Sequence, residues 1–446
     1  MSDALASYEP DTPRVAARSI DPVLIIGAAI GLTPVLAAII FRTYVYHVTP
    51  GWPEGLRQLD VPFILVELAV VLWARQRGMR YGEIFQRFDR PAKIAIGVFL
   101  GTFWISSAFI SADPVYSLVR ASYWLVHIAF ACAIFHVIGA PNRDQLQRLG
   151  LFALAGFLIF LPVMAIHLGN VPDPDTVRGG KIIWSSAIPG CLSVRHLGIW
   201  AALVLACALG SLYEFNANGR ERTFVFAVIF AATALLFWSG TRGGVYGLGG
   251  AVFVILLTLR TFPPRRAILI AGAAAILGVL ASEIWLPPDP AFGFFGRLGV
   301  VGSGDLQEVS SGRTVLWANM MHAFQGSPLF GVGEGAVHWI GKLHGESHVQ
   351  PHNAIVQMLS SWGLIACSAA GYLMARFLLL LHRVAKANPI AIPLMLLVDC
   401  LLVMSLVDGV LYFSRFIMWF AGGVALVLAL ADKNREVGRV PSHVAR

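Results

Sequence analysis

Long apolar segments alternate with short polar loops along the whole chain. An α-helix crosses a bilayer with roughly 20 consecutive apolar residues, within a range of about 17 to 25. No internal repeat or low-complexity linker separates the segments, so the pattern predicts one all-α domain over residues 1–446, a polytopic membrane protein. Twelve runs predict about twelve transmembrane helices, near residues 22–41, 59–74, 94–112, 117–139, 149–168, 195–213, 223–239, 244–260, 267–286, 353–380, 389–408 and 411–431.

Two polar segments, residues 169–194 and 287–352, are longer than the other loops on their side. The second exceeds the length at which structureless connections are common in a compact domain, so we expect it to carry function. It contains SSGRTVLWANMMHAFQGSP, where Val315, Leu316 and Met320 recur at helical spacing between a Ser-Gly start and a Gly-Ser-Pro end. This spacing predicts a short amphipathic helix on the outer membrane surface.

The composition agrees with a membrane location and excludes a water-soluble globule. Hydrophobic residues make up 57% of the chain and charged residues 13%, and the mean hydropathy is +0.71. Soluble domains are nearer about 25% charged. The five cysteines fall mostly inside apolar runs and form no CxxC pair, so they predict neither a disulfide framework nor a zinc site.

Lysine and arginine concentrate in alternate loops, which orients the chain. Cationic loops beside helix ends stay in the cytoplasm. This rule predicts a cytoplasmic N-terminal segment, residues 1–21, a cytoplasmic tail, residues 432–446, and an outward-facing long loop, residues 287–352. The first twenty residues lack the pattern of a cleaved signal peptide, so we expect the first helix to remain as an anchor. The net charge of +8 follows from the inner loops and requires no nucleic-acid partner.

Outward-facing arginines are the first candidates for a binding site. Arg242 lies in FWSGTRGGVYG, between two apolar runs, where a cation costs free energy unless it reaches the interface or a partner. The surrounding glycines leave backbone open to a bulky anion. Together with Arg313, and with Arg195 and Arg120, it predicts a cluster suited to phosphate binding. The alternative is an arginine that only extends to the membrane surface.

The long loop also supplies two candidates for acid–base chemistry. Glu334 lies between glycines in PLFGVGEGAVHW. Its candidate roles are an acid, a base or an arginine partner, and the alternative is a solvated carboxylate. His352 precedes Asn353, which can cap the following helix, and imidazole can take a proton from a sugar hydroxyl near neutral pH. The alternative is a solvent-exposed histidine at a loop end that takes no part in chemistry. The spacing of His344, His348 and His352 does not predict a metal site, since glycine and proline oppose a helix there.

Three segments, in this order and on one predicted side, resemble the O-antigen ligase family of bacterial membrane glycosyltransferases. They are TRGG at the end of the seventh run, SGRTVLW with PLFGVGEG in the long loop, and PHNAIVQMLSSWGL entering the tenth run. The family pattern has a His-Asn pair, nine residues, then Gly-x-x-Gly. His352, Asn353 and Gly363 fit this pattern, whereas Ala366 replaces its last glycine, and Thr241 stands where the family often has serine.

The resemblance implies a GT-C-like bundle in the bacterial inner membrane, with both termini cytoplasmic and the site and one large loop facing the periplasm. The implied reaction moves a glycan from undecaprenyl pyrophosphate to an acceptor sugar, without a metal, nucleotide sugar or other cofactor. The implied roles are pyrophosphate binding for Arg242, Arg313 and Arg195, with support from Asn353, and acid–base chemistry for His352, supported by Glu334. Membrane lipids are the other expected partners.

The acceptor is left open by the sequence. A lipid A-core sugar defines a ligase, which the PHNAIVQMLSSWGL segment favours. A second lipid-linked repeat unit defines a polymerase, and a serine or threonine defines a protein O-oligosaccharyltransferase. A transporter or lipid-linked glycan flippase is the alternative from another class, and it predicts repeated halves, broken helices and polar groups at mid-membrane.

Overall fold

The computed structural model describes residues 21–40, 60–170, 177–178, 181–182, 184, 187–191, 193–214, 219–299, 312–343, 346–347 and 350–438. The helices are α1 (Pro22–Ile40), α2 (Val61–Gln76), α3 (Tyr81–Gln86), α4 (Arg90–Ile105, extended by a π-helical turn, Ser106–Ile110), α5 (Pro114–Ile138), α6 (Arg143–Gly169), α7 (Val194–Ser211), α8 (Gly219–Trp238), α9 (Arg242–Leu259), α10 (Arg265–Ser282), α11 (Phe294–Gly299), α12 (Arg313–Gly326), α13 (Val337–Ile340), α14 (Ala354–Ala387), α15 (Ile392–Ser405) and α16 (Ser414–Gly438).

Short 3₁₀ turns and two hairpins complete the described elements. The 3₁₀ turns are Leu212–Glu214, Pro389–Ala391 and Val410–Tyr412. The antiparallel hairpins pair β1 (Val177–Arg178) with β2 (Lys181–Ile182), and β3 (Lys342–Leu343) with β4 (Glu346–Ser347).

Each of the twelve predicted apolar runs contains a helix, and ten helices of the described chain are long and apolar enough to cross a membrane. The multi-span, all-helical class is therefore confirmed. The count differs because two runs form shorter helices: α2 has 16 residues, and Pro389–Ser405 joins a 3₁₀ turn to α15. A helix in the long loop is confirmed as α12, whereas its position on the outer membrane surface stays a prediction.

Close backbone contact joins α1 to α6. A Cβ atom added to Gly156 would lie 1.9 Å from the carbonyl oxygen of Gly31, and one on Gly27 would lie 2.9 Å from Phe152 Cβ. Small residues let membrane helices approach this closely. Close packing matters in lipid because the hydrophobic effect does not drive helices together there. The glycines in the first run therefore determine where α6 packs.

The alternating direction of successive helices brings the polar helix ends together. Connections between most spans are short, which makes neighbours antiparallel. The first residues of α7, α9, α14 and α16 consequently lie at the same end of the bundle as the last residues of α8 and α15. This end, which we call the site end, also receives α11 and α12 from the long loop.

A break in α14 anchors the glycine-rich loop. Gly363 has φ 72° and ψ 178°, which interrupts the helix. Residues 328–333 fit into the break: Val332 N–H donates to Ser360 O (2.9 Å), Gly333 N–H donates to Ser361 O (3.0 Å), and Leu364 N–H donates to Pro328 O (2.8 Å). Backbone groups freed by a helix break need such partners where water is scarce. The loop therefore forms part of the bundle.

Candidate active site

Four arginines gather at the site end: Arg195 in the first turn of α7, Arg242 at the start of α9, Arg297 in α11 and Arg313 at the start of α12. Burial, together with the charges of Arg195, Arg242 and Arg313, lowers the pKa of Arg297 to about 10. Burial and the charges of Arg195 and Arg242 likewise lower the pKa of Arg313, against the opposite effect of Asp408. Such mutual effects require proximity, so the predicted cluster of Arg242, Arg313 and Arg195 forms and includes Arg297.

Two of these arginines are fixed by backbone carbonyls. Arg313 Nη1 donates to Val407 O at 2.5 Å, and Arg297 Nη1 donates to Gly240 O at 3.0 Å. The side chains of Arg195 and Arg242 make no hydrogen bond to another residue of the described chain, and neither does Nε of Arg313. The cluster thus combines anchored cations with guanidinium donors that remain available.

Helix ends add to the positive potential at this site. Backbone N–H groups in the first turn of a helix are unpaired, and the helix dipole places partial positive charge there. Arg195, Arg242 and Arg313 each lie in such a first turn. The combination is the arrangement that binds phosphate groups in many proteins.

His352 lies beside Asp408, a residue that the sequence analysis did not select. Its Nδ1 is 2.9 Å from Asp408 Oδ1, and the side chains are 17% and 9% exposed. Burial raises the pKa of Asp408, but the hydrogen bond from His352, the charge of His352 when it is protonated, and the charges of Arg313 and Arg195 bring it well below its usual range. An ionised carboxylate only accepts hydrogen bonds. Nδ1 therefore carries the hydrogen, and Nε2 has the free lone pair.

The imidazole favours its neutral form. Burial lowers the pKa of His352, and the charges of Arg313 and Arg195 lower it further, whereas Asp408 acts in the opposite direction. A neutral imidazole with a lone pair on Nε2 can accept a proton, and the carboxylate on Nδ1 then stabilises the cation. The pair has the geometry of a general base with its orienting group.

Direct contacts link the His352–Asp408 pair to the arginine cluster. A Cβ atom added to Gly243, next to Arg242, would lie 3.6 Å from Asp408 Oδ2. In α12, Trp317 Nε1 donates to Pro351 O at 2.7 Å, which holds the helix that begins with Arg313 against the histidine loop. The structure therefore joins four distant segments in one site.

Asn353 has a structural role that differs from the predicted contact with pyrophosphate. Its Oδ1 accepts from Val356 N–H at 3.1 Å as the N-cap of α14, as predicted, and its Nδ2 donates to Leu406 O at 3.0 Å. Both ends of the amide are thus engaged within the protein. Asn353 ties the start of α14 to the turn that carries Asp408.

Glu334 lies in a separate buried group, so the alternative of a solvated carboxylate is wrong. It is 1% exposed, and its Oε2 accepts from Trp362 Nε1 at 2.5 Å. Burial raises its pKa, against the charge of Arg120 and the indole N–H groups of Trp362 and Trp124. Glu334 therefore joins the glycine-rich loop to the broken helix. The nearby arginine charge that acts on its pKa is that of Arg120.

Other outer cations also have partners inside the protein. Arg120, which the sequence grouped with Arg242 and Arg313, is instead buried, pairs with Asp60 and donates to Tyr412 O at 2.8 Å. Buried Arg415 donates to Cys191 Sγ at 2.7 Å and to Gly190 O. The side chains of Arg178 and Lys181 lie outside the described part of the structure.

Sequence reasoning missed Asp408 and Arg297 for different reasons. Asp408 occurs in MSLVDGVLYF, and a carboxylate between two apolar runs was a usable signal, because ionisable groups at membrane helix ends are often functional. Arg297 falls within the long outward-facing loop, and no motif around it distinguishes it from other loop arginines. His344 and His348 lie outside the described residues; within those residues, no group of three His, Cys, Asp or Glu side chains is arranged for a metal ion.

The fold and site define a class: a helical membrane protein with an arginine cluster beside a histidine–carboxylate pair. Residues 226–371, about a third of the chain, match the family model Wzy_C, described as O-antigen ligase. The matched segment contains Arg242, Arg313 and His352, the residues on which the sequence resemblance depends.

A second comparison concerns a different membrane protein. The chain is 30% identical over 136 residues to cytochrome bo(3) ubiquinol oxidase subunit 3 of Pseudomonas aeruginosa, which covers 29% of this chain and 60% of that protein. The chain thus spans less than two thirds of that relative. Membrane helices draw on a small set of apolar residues, so identity at this level also follows from shared composition.

Proposed function

We propose that the protein is an O-antigen ligase-type glycosyltransferase that moves a glycan from undecaprenyl pyrophosphate to a lipid A-core sugar at the periplasmic face of the inner membrane. The observation that carries the proposal is the arginine cluster adjoining the His352–Asp408 pair at one end of the bundle. A polyprenyl pyrophosphate keeps its tail in lipid and its charges at the interface, and this is where helix ends bring the cations.

In the proposed reaction, Nε2 of His352 takes the proton from the acceptor hydroxyl, whose oxygen attacks the anomeric carbon of the donor glycan. The bond from that carbon to the phosphate oxygen breaks, and its electron pair stays on the diphosphate. Arg242, Arg313 and Arg195 stabilise this developing charge, as preorganised donors do for other oxyanions. In this proposal the arginines neutralise the diphosphate, so the reaction requires no metal ion.

A polymerase that uses a second undecaprenyl-linked glycan as acceptor is the alternative within the family. It employs the same diphosphate site and the same base, so the acceptor alone distinguishes the two enzymes. A flippase is a weaker candidate, although the break at Gly363 is a feature of transporters. Here residues 328–333 fill the break with backbone hydrogen bonds, which favours a fixed joint.

The test is the lipopolysaccharide profile of a deletion strain, complemented with wild-type protein or with His352→Ala. Loss of a ligase leaves lipid-linked polymer and unmodified core. Loss of a polymerase leaves core with a single repeat unit, and loss of a flippase leaves glycan units on the cytoplasmic side. We expect the ligase pattern, with no rescue by His352→Ala at normal protein level. Rescue by this variant would contradict the role of His352.

A further inference from the structure

His352 has an unusual backbone conformation. Its φ is 58°, and among the described residues Arg260 is the other non-glycine residue with positive φ. Arg260 follows the end of α9, where left-handed residues are common. His352 instead precedes Asn353, the N-cap of α14, and left-handed residues are not typical of this position. A strained residue at a site persists only when its surroundings hold it.

Gln350 supplies the hydrogen bonds that hold His352. Its Oε1 accepts from His352 backbone N–H at 2.8 Å, and its Nε2 lies 3.0 Å from Nδ1 and 3.4 Å from Nε2 of the ring. The side chain is buried, with 6% of its surface exposed. A single amide therefore contacts both the strained backbone and the reactive ring.

Gly409 provides the space that the amide occupies. A Cβ atom on Gly409 would lie 1.6 Å from Gln350 Oε1 and 2.0 Å from Cδ. The φ of Gly409 is −82°, which suits any residue, so glycine is required for space and not for backbone conformation. Its N–H also donates to Asp408 Oδ1 at 2.9 Å.

We propose that Gln350 is a positioning residue for His352, and that Gly409 is required because it makes room for the Gln350 amide between the histidine and Asp408. The inference rests on the proposed function only where transfer is measured. No step of the reaction passes through Gln350. Its hydrogen bond to the His352 backbone holds the residue so that Nδ1 faces Asp408 and Nε2 keeps its lone pair.

The charge of the ring also depends on this amide. An amide NH₂ group only donates, so in the neutral ring it can hydrogen-bond only to Nε2, 3.4 Å away, and it disfavours an imidazolium, in which both ring nitrogens are donors. The charged groups around His352 are Asp408 from the turn after α15, Arg313 from α12 and Arg195 from α7, and His196 of α7 also lies within electrostatic range. A carboxylate in place of the amide would shift this balance toward imidazolium.

The first experiment measures the protonation of His352 without any glycan. Purified full-length protein in detergent is treated with diethyl pyrocarbonate, which modifies neutral imidazole, and modification of the His352 peptide is followed by mass spectrometry across pH. We expect the midpoint to move to higher pH in Gln350→Glu, and by less in Gln350→Met. Unchanged midpoints in both variants would overturn the proposal.

The second experiment measures transfer. We expect Gln350→Met to lower kcat about tenfold or more with little change in KM, since the base is misplaced while the arginines are intact. Gly409→Ala should cause a similar loss. In Gln350→Ala, where the amide is absent, adding Gly409→Ala should cost little more, because both changes remove the same contact.

Gly249→Ala is the matched control, because no atom lies within 4 Å of a Cβ atom added there. Full activity of Gly409→Ala, or additive losses in the double variant, would contradict the proposal. If wild-type protein shows no transfer to any acceptor, the proposed function fails, whereas the modification profile still tests the role of Gln350. Thermal stability in detergent separates variants that do not fold from variants with a misplaced ring.

Discussion

At the scale of single residues, the site depends on unequal environments for groups of similar chemistry. Asp408 is held ionised beside cations and a histidine, whereas Glu334 lies buried against indole groups, and burial raises its pKa. The environment of Asp408 suits a group that orients a base, and the environment of Glu334 suits a buried structural contact. The two carboxylates therefore lead to opposite expectations for neutral substitutions.

We expect Asp408→Asn to abolish most transfer while the protein stays folded. The amide keeps the size of the side chain, but it removes the negative charge that fixes Nδ1–H and stabilises the imidazolium. Losses of about 10²- to 10⁴-fold follow from removing such a group. Transfer rates with purified donor and acceptor measure the effect, and a variant within twofold of wild type would exclude the pair as the base.

Glu334→Gln should retain transfer, in contrast to Asp408→Asn. Glutamine Oε1 can still accept from Trp362 Nε1, whereas Glu334→Ala leaves that buried N–H unpaired, at a cost of about 1–3 kcal/mol. Because the folded pKa is raised, the carboxyl's contribution to stability falls as pH rises above its ordinary value of 4.5, and glutamine removes this dependence. Thermal unfolding across pH measures it. A stable Gln variant without transfer would restore a catalytic role for Glu334.

At the scale of elements, the site depends on one joint between α14 and the glycine-rich loop. The first half of α14 follows His352, and the loop in its break carries Glu334 against Trp362. Ser106 Oγ of the π-helical turn also donates to Ser361 O at 3.1 Å, which ties α4 to the same joint. The break is therefore the point at which the long loop is attached to the bundle.

Gly363→Ala should destabilise this joint. Its φ and ψ belong to a region open essentially to glycine alone, which costs other residues about 1–3 kcal/mol, and a Cβ atom would lie 2.4 Å from Leu329 O. We expect a lower unfolding temperature and loss of transfer. Gly371→Ala is the control in the same helix, since a Cβ atom there meets nothing within 4 Å. Equal stability of the two variants would show that the joint does not matter.

At the scale of the whole molecule, all the proposed catalytic groups lie at one end of the bundle. Several antiparallel spans end there, and their first turns carry the arginines. The predicted orientation places this end outside the cytoplasm, because the loops at the other end carry most of the lysine and arginine. The proposed reaction requires this orientation, because its donor and acceptor meet in the periplasm.

Labelling of single cysteines tests the orientation. Exposed Gln325 lies at the end of α12, and exposed Gln147 lies in the first turns of α6 at the opposite end of the bundle. In spheroplasts with the native cysteines replaced, a membrane-impermeant maleimide should label Gln325→Cys at once and Gln147→Cys only after lysis. The reverse pattern would place the site in the cytoplasm and contradict the proposed reaction.

The sequence by itself determined the membrane class, the approximate positions of the spans and helix α12, and it selected Arg242, Arg313 and His352 as candidates. Apolar run length, charge asymmetry and helical spacing depend only on residues that are close together in the sequence, so the sequence alone shows them. Tertiary structure decided that Arg297 joins the cluster, that Asp408 meets His352, and that Glu334 and Asn353 are engaged within the protein. Those outcomes depend on contacts between segments far apart in the chain. A linear pattern does not specify such contacts, because burial and partner charge exist only after the helices pack.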